Sequence, residues 1–162
     1  MRPTTSGKKY ILVVQDVFSR KIWTEAMVDK RPSTTAAAFQ TILDKASATP
    51  TALTSDKGAE FSGEFRDLLE TKGIVPRQKD KYDINAIATI DTVIGNLKKA
   101  LAIVSRKAGT NNWASLLQRV TDGQNKLPND GEYLNGIAPD EVADDDNIRA
   151  KLREKNAEHA QF

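Results

Sequence analysis

Two strand-type segments separated by a short polar turn constrain the fold of this chain most strongly. Residues 9–15 form an apolar run, and residues 21–28 alternate between two sets of side chains with a period of two. Such alternation is typical of a strand with two different faces, and the short link over residues 17–20 predicts a hairpin. The chain is therefore expected to begin with an antiparallel strand pair.

Helical and extended segments alternate after this hairpin. Pro32 predicts the start of a helix, a short strand ends at Asp56, a second helix ends at Gly73, and residues 74–78 form a further strand. Two more helices complete the order β-β-α-β-α-β-α-α. This order predicts an α/β fold in which helices cover both faces of a mixed sheet.

A long amphipathic helix is predicted over residues 87–104. Its apolar side chains repeat at spacings of three and four and form one stripe: Ile87, Ile90, Ile94, Leu97, Leu101 and Val104. Asp91, Gly95 and Lys98 lie on the neighbouring stripe. This pattern leaves two interpretations open: a solvated helix flank, or a functional stripe in which Asp91 binds a metal ion and Lys98 a phosphate.

The last third of the chain contains a further amphipathic helix and a polar tail. Trp113 begins the helix and is expected to be an anchor of the core or of a dimer interface. Asp144, Asp145 and Asp146 begin the tail. Contiguous aspartates at a helix start more often cap the helix than bind a metal ion. We therefore expect a core domain over residues 1–143 and a polar helical tail or linker over residues 144–162.

Composition excludes several classes of protein. The chain has 24 Lys and Arg against 22 Asp and Glu, so its net charge of +2 predicts no strongly basic surface. Any contact with DNA must come from local clusters of lysine or arginine. With no cysteine and one histidine, the chain can form neither a disulfide framework nor a Cys/His zinc module. No stretch approaches the roughly 20 apolar residues of a membrane span, so a soluble intracellular protein without membrane contact is expected.

Three aspartates stand where an apolar segment meets a polar turn or an exposed helix face. Asp16 and Asp56 each end a strand-type run, and Asp91 lies in the long helix. Three carboxylates brought to one point could hold two hard divalent cations, because Mg²⁺ prefers oxygen ligands and is usually bound by a few carboxylates and the phosphates of its substrate. The pattern indicates phosphoryl transfer on nucleic acid.

The sequence around these aspartates resembles a known family. Residues 10–19 (YILVVQDVFS), 55–61 (SDKGAEF) and 91–99 (DTVIGNLKK) look like the catalytic core of retroviral and retrotransposon integrases and of the related Maverick/Polinton element integrases. Residues 134–142 (LNGIAPDEV) are similar to the segment that closes those cores. The resemblance implies a ribonuclease-H-like fold with a mixed five-stranded sheet flanked by helices. It also implies a flexible catalytic loop over residues 80–85.

The resemblance implies the same three catalytic residues and adds DNA contacts. Asp16 and Asp56 match the first two carboxylates of the family pattern, and Asp91 stands where the family has Glu, with 34 residues between it and Asp56. Asp is one methylene shorter than Glu, so its oxygens are retracted from the position that the family's ligand would reach. DNA-binding roles are implied for the neighbouring lysines Lys57, Lys98 and Lys99.

The implied activity is polynucleotidyl transfer with two Mg²⁺ or Mn²⁺ ions, in which DNA 3′ ends are processed and joined to target DNA in the nucleus or wherever integration occurs. The partners would be element ends and target DNA, and a homodimer or higher oligomer would form through the helices around Leu97 and Trp113. An alternative is an inactive or domesticated core that binds DNA or dimerises, and a third is a structure-selective nuclease. Asp91 favours the inactive core, whereas the surroundings of Asp16 and Asp56 favour the integrase.

Overall fold

The computed structural model describes residue 4 and residues 6–78, 84–129, 134 and 136–159. For residues 84–89, 155, 156, 158 and 159 it describes the backbone only. The strands are β1 (Tyr10–Gln15), β2 (Ile22–Met27), β3 (Ala52–Ser55) and β4 (Val75–Gln78). The helices are α1 (Pro32–Ala46), α2 (Glu64–Thr71), α3 (Ile84–Lys107), α4 (Trp113–Asn125), α5 (Pro139–Asp144) and α6 (Asp146–His159), and a 3-10 turn covers Ala59–Phe61.

The strand pairs have the mixed directions that the sequence predicts. Strands β1 and β2 are antiparallel, with Tyr10 opposite Met27 and Gln15 opposite Ile22, so the predicted hairpin is confirmed. Strands β3 and β4 are parallel, as expected for strands joined by a helix. Within the described residues, four of the five expected strands are present, and they form two separate two-stranded sheets, β1–β2 and β3–β4, rather than one continuous mixed sheet.

Helices cover both faces of the β1–β2 hairpin. On one face Leu12 and Met27 pack against buried residues of α1 and α2 such as Phe39 and Phe65. On the other face Ile11 and Val13 pack against a cluster formed by Ala26 and residues of α3 and α4. Successive side chains of a strand point to opposite faces, so β1 contributes to two separate cores. The predicted arrangement of helices on both sides of the strands is confirmed.

The apolar stripe of α3 is buried at its centre and half-buried at Ile90, Ile94 and Val104. Leu97 and Leu101 are 1% and 0% exposed and pack with Trp113 of α4 inside the chain. Trp113 is therefore a core anchor. Because these side chains are already covered, contact between copies through α3 and α4 would have to use their outer faces, where Ile103 is 54% exposed.

A buried asparagine that the sequence did not single out fixes α4 to the hairpin. The side chain of Asn125 accepts a hydrogen bond from the Ile22 backbone N–H and donates one to the Ile22 carbonyl, both at 2.8 Å. Four residues earlier on α4, the hydroxyls of Thr121 and Thr24 lie 2.6 Å apart. The amide of Asn125 satisfies backbone groups of β2 where that strand begins, and so sets the position of α4 along the strand.

The C-terminal helices pack onto the rest of the chain. Leu152 of α6 is 4% exposed and forms a third cluster with Leu134 and Val142. The Asp145 carboxylate accepts hydrogen bonds from the backbone N–H groups of Asn147 and Ile148 at 2.8 and 3.2 Å, so this aspartate caps α6 as predicted. None of the described helices is both long and apolar enough to span a bilayer.

Candidate active site

The Asp16 carboxylate is held by the turn that links β1 to β2. The backbone N–H and the hydroxyl of Ser19 both donate to Asp16 Oδ2, each at 2.7 Å. The Asp16 backbone N–H donates to the Lys21 carbonyl and the Arg20 N–H donates to the Asp16 carbonyl, which closes the turn. Asp16 is exposed whereas Ser19 is buried. One carboxylate oxygen is therefore fixed from within the protein, and Oδ1 accepts no hydrogen bond from a described residue.

Asp56 follows the last residue of β3 and begins a second tight turn. Its Oδ1 accepts a hydrogen bond from the Gly58 backbone N–H at 2.9 Å. A Cβ atom at position 58 would lie 2.5 Å from Glu60 Oε2 and 3.0 Å from Asp56 Oδ1, so a side chain there would displace the Glu60 carboxylate from its present position. The glycine thus allows the carboxylates of Asp56 and Glu60 to converge on one turn.

Glu60 is an acidic neighbour of Asp56 that the sequence reasoning missed. A hydrogen bond from its own backbone N–H and the ammonium of Lys30, 3.2 Å from Oε1, hold the pKa of Glu60 below its ordinary value against the opposing effect of burial. Glu60 is therefore ionised at neutral pH. The signal available in the sequence was the glycine between two acidic residues, which permits a turn that brings them together.

Asp91 lies exposed on α3, six positions after the end of the predicted catalytic loop at residues 80–85. Residues 79–83 fall outside the described residues, and α3 already begins at Ile84. Within the described ranges, no three acidic, histidine or cysteine side chains lie close enough together to hold a metal ion. The structure brings Asp56 to Glu60 and Asp16 to Ser19, but it does not gather the three aspartates. Their assignment to one metal site stays a prediction.

The three lysines predicted to bind DNA are exposed and form no ion pair with any described residue. They are Lys57 in the Asp56 turn and Lys98 and Lys99 on α3. Lys98 lines a groove of about 540 Å³ together with Lys9, Tyr10 and Glu60. Glu60 belongs to the turn that Asp56 begins, so Lys9 and Lys98 line the same groove as a carboxylate of that turn.

Residues 1–83 match the family described as the integrase core domain, which is just over half of the chain and includes both Asp16 and Asp56. The chain belongs to the integrase core domain family. This match confirms the resemblance drawn from the motifs around these two aspartates. The likeness to Maverick/Polinton element integrases in particular stays a prediction.

Solved structures and one transposon-derived relative are similar to this integrase core domain. A chain of the simian T-cell lymphotropic virus intasome, solved with the PP2A regulatory subunit B56 gamma, superposes with a TM-score of 0.73 at 15% identity, covering 83% of this chain and 48% of that one. The catalytic core domain of BIV integrase superposes with a TM-score of 0.68 at 17% identity, covering 90% of this chain and 89% of that one. These matches confirm the ribonuclease-H-like fold.

The relative is a transposon-derived protein of Caenorhabditis elegans. It is 27% identical over 125 residues, a match that covers 77% of this chain and 43% of the worm protein. The chain thus spans less than half of that relative. Its relation to transposons agrees with membership of the integrase core domain family.

Proposed function

We propose that this chain is the catalytic core of an integrase that performs two-metal polynucleotidyl transfer, processing DNA 3′ ends and joining them to target DNA. The observation that supports this activity best is the setting of Asp16. Its carboxylate ends β1 in the part of the chain that matches the family, and Ser19 fixes one of its oxygens while the residue stays exposed. An exposed, pre-oriented carboxylate at a strand end is suited to bind a cation.

Asp16, Asp56 and Asp91 are the residues that would hold Mg²⁺ or Mn²⁺. The donor set fits such ions, because carboxylate oxygens are the ligands that they prefer and both Asp16 and Asp56 are anchored through one oxygen only. When bound, the metal ions would activate the attacking oxygen and stabilise the leaving one in an in-line displacement at phosphorus. The Ser19 and Gly58 backbone amides orient the two carboxylates. The attacking oxygen would come from water in end processing and from the DNA 3′-hydroxyl in joining, so the chain needs no nucleophile of its own.

DNA is the proposed substrate, and exposed lysines would bind its phosphates. Lys57 lies in the Asp56 turn, and Lys98 and Lys99 lie on α3, where the groove beside Lys9 adds a further cation. Because none of the three predicted lysines is paired with a described acidic residue, their charges are available to phosphates. Element ends and target DNA would both approach this side of the molecule.

We further propose a homodimer or higher oligomer that acts in the nucleus, or wherever its DNA is integrated. Two copies would bring two active sites to two DNA ends. The division into a core of residues 1–143 and a tail of residues 144–162 belongs to the same proposal. It assigns all candidate catalytic residues to the core.

A second candidate function is a domesticated or inactive core that binds DNA or dimerises without catalysis. The shorter Asp91 in place of the family's Glu, and the lack of a three-carboxylate group within the described part of the chain, favour it. In that case the lysines and the fold would be retained, while substitution of the aspartates would leave the function unchanged. A nuclease that uses water as its only nucleophile would cut DNA without joining it.

Substitution of Asp91 distinguishes the integrase from the inactive core. We expect Asp91→Glu to keep or raise metal-dependent strand transfer, because the longer side chain reaches further toward the metal ions, and Asp91→Ala to abolish it. Both changes are on an exposed helix face and should alter the free energy of unfolding by no more than about 0.5 kcal/mol. The measurement is joining of labelled DNA ends to a target plasmid. Equal joining by the native protein and Asp91→Ala would rule Asp91 out as a ligand.

Substitution of Lys98 tests the DNA contact. We expect Lys98→Glu to weaken binding to all DNA sequences alike and to lower the slope of log affinity against log salt by about 1, as the loss of a phosphate contact does. Fluorescence anisotropy at several salt concentrations measures both quantities. Lys151→Glu, with the same charge change on the exposed surface of α6, is the control. If both variants weaken binding equally, Lys98 has no specific phosphate contact.

A further inference from the structure

The turn that contains Asp16 is in contact with the C-terminal helices. Phe18, two residues after Asp16, packs against the buried cluster of Leu134, Val142 and Leu152. Leu134 and Val142 are 0% exposed and Leu152 is 4% exposed, so these three residues form a buried apolar cluster. The side chain of Phe18 thus ties the turn to α6, a helix that the sequence had indicated only as a polar tail.

Charged side chains make further contacts between the turn and helices α5 and α6, on either side of this apolar cluster. The guanidinium carbon of Arg153 lies 5.4 Å from the centroid of the Phe18 ring, within the range of a cation–π contact. At the other end of the turn, the ammonium of Lys21 lies 3.1 Å from Asp140 and 3.7 Å from Asp144. Helices α5 and α6 therefore hold the turn at Phe18 and at Lys21.

Ser19, between these two points, connects the turn to the Asp16 carboxylate. Its side chain is 4% exposed, and its hydroxyl donates to Asp16 Oδ2 and accepts the Lys21 N–H at 3.2 Å. Its backbone N–H donates to the same Asp16 oxygen. A shift of Phe18 or Lys21 would move Ser19, and with it both donors that orient the carboxylate.

We propose that helix α6 is a positioning element for Asp16, with Leu152 and Phe18 as the positioning residues. Packing of Phe18 on the cluster that contains Leu152 fixes the turn, the turn fixes Ser19, and Ser19 orients the Asp16 carboxylate through one oxygen. The consequence for metal binding rests on the proposed function, whereas the hold on the turn does not. Mutation of a group that hydrogen-bonds directly to a metal ligand, as Ser19 does to Asp16, typically lowers metal affinity by about 10- to 100-fold.

Leu152→Ala and Leu117→Ala form a matched pair for the test. Both residues are leucines with 4% exposure, but Leu117 belongs to the cluster between α3, α4 and the hairpin, which does not include Phe18. Hydrogen exchange of the Ser19 amide, measured by NMR on the whole chain, reports the turn directly. In Leu152→Ala we expect the exchange rate of the Ser19 amide to rise at least about tenfold more than the exchange rates of core amides in the same variant. The reason is that the substitution makes local opening of the turn easier. In Leu117→Ala the exchange rate of the Ser19 amide should rise by the same factor as the rates of the core amides.

A second readout separates this inference from the proposed function. Titration with Mn²⁺, followed by paramagnetic broadening of amides in the Asp16 turn, should show an affinity about tenfold lower in Leu152→Ala and nearly unchanged in Leu117→Ala. If the native protein binds no Mn²⁺ while Ser19 still becomes exposed in Leu152→Ala, the metal function is wrong and the positioning role of α6 stands. If Ser19 exchange follows the core amides in both variants, the positioning role is wrong.

A milder substitution decides the question if Leu152→Ala does not fold. Phe18→Leu keeps an apolar side chain in the cluster but removes the ring beneath Arg153. The same selective rise in Ser19 exchange is expected. Native-like protection of Ser19 in Phe18→Leu would contradict the inference.

Discussion

Replacing Asp16 by asparagine is expected to abolish metal-dependent strand transfer while leaving the fold intact. Asparagine keeps an oxygen that can accept the two Ser19 hydrogen bonds, so the turn should form as before. It lacks the charge that binds a divalent cation. Loss of the metal should slow joining by at least about a thousandfold, which corresponds to roughly 4 kcal/mol of transition-state stabilisation.

Asp44→Asn is the control for this substitution, because Asp44 is an exposed aspartate near the end of α1 whose carboxylate accepts a hydrogen bond from the Gln40 side chain one turn away. The rate of joining with labelled DNA ends and the free energy of unfolding should be measured for both variants. Joining by Asp16→Asn within twofold of the native rate would show that Asp16 is not a metal ligand, and a large loss of stability would show that its role is structural.

Substitution of Asn125 by alanine is expected to cause a large loss of stability, because its side chain makes two buried hydrogen bonds to the Ile22 backbone. It leaves the N–H and the carbonyl of Ile22 without their partner, and both residues are nearly inaccessible to water, at 4% and 3% exposure. Each buried backbone group left unpaired costs about 1–3 kcal/mol, so a loss of about 2–5 kcal/mol is expected.

Urea denaturation measures this loss, and Gln118→Ala on the exposed side of the same helix is the control. The Gln118 side chain bonds only to Asp122 across one turn, and its removal should change the free energy of unfolding by no more than about 0.5 kcal/mol. Similar stabilities for Asn125→Ala and Gln118→Ala would mean that water replaces the amide at Ile22.

The parts of the fold that could be predicted from sequence are those in which apolar residues recur at the spacing of a strand or a helix. The alternation over residues 21–28 predicts β2, and the stripe that contains Leu97 and Leu101 predicts the buried face of α3. Both are confirmed, because side chains two apart on a strand or three and four apart on a helix share a face whatever the rest of the chain does. Pro32 likewise starts α1, since its fixed backbone angle suits the first turn of a helix.

The features that sequence reasoning missed depend on contacts between distant residues. Asn125 and Ile22 are 103 positions apart, and the sequence near either residue does not predict their hydrogen bonds. Residues 144–162 were expected to form a polar helical tail or linker, yet Leu152 packs in a cluster with Leu134 and Val142, which other parts of the chain supply. Amphipathic patterns show that a face will be buried, but not what will cover it.

The candidate site was predictable in part for the same reason. The motifs around Asp16 and Asp56 identify the family correctly, and their turns hold each carboxylate by short-range hydrogen bonds. The convergence of Glu60 on Asp56 required the geometry of the Gly58 turn. The position of Asp91 relative to Asp16 and Asp56 depends on how α3 is placed against β1 and β3. No local sequence pattern determines that placement.

The most direct test of the metal site is anomalous diffraction from crystals of this protein soaked in Mn²⁺. Manganese is the appropriate probe because it accepts the same oxygen ligands as Mg²⁺ and scatters anomalously. We predict a peak bound by the carboxylates of Asp16 and Asp56, absent from crystals of Asp16→Asn. Anomalous density found only at the acidic residues 144–146 would contradict the assignment of catalysis to these aspartates.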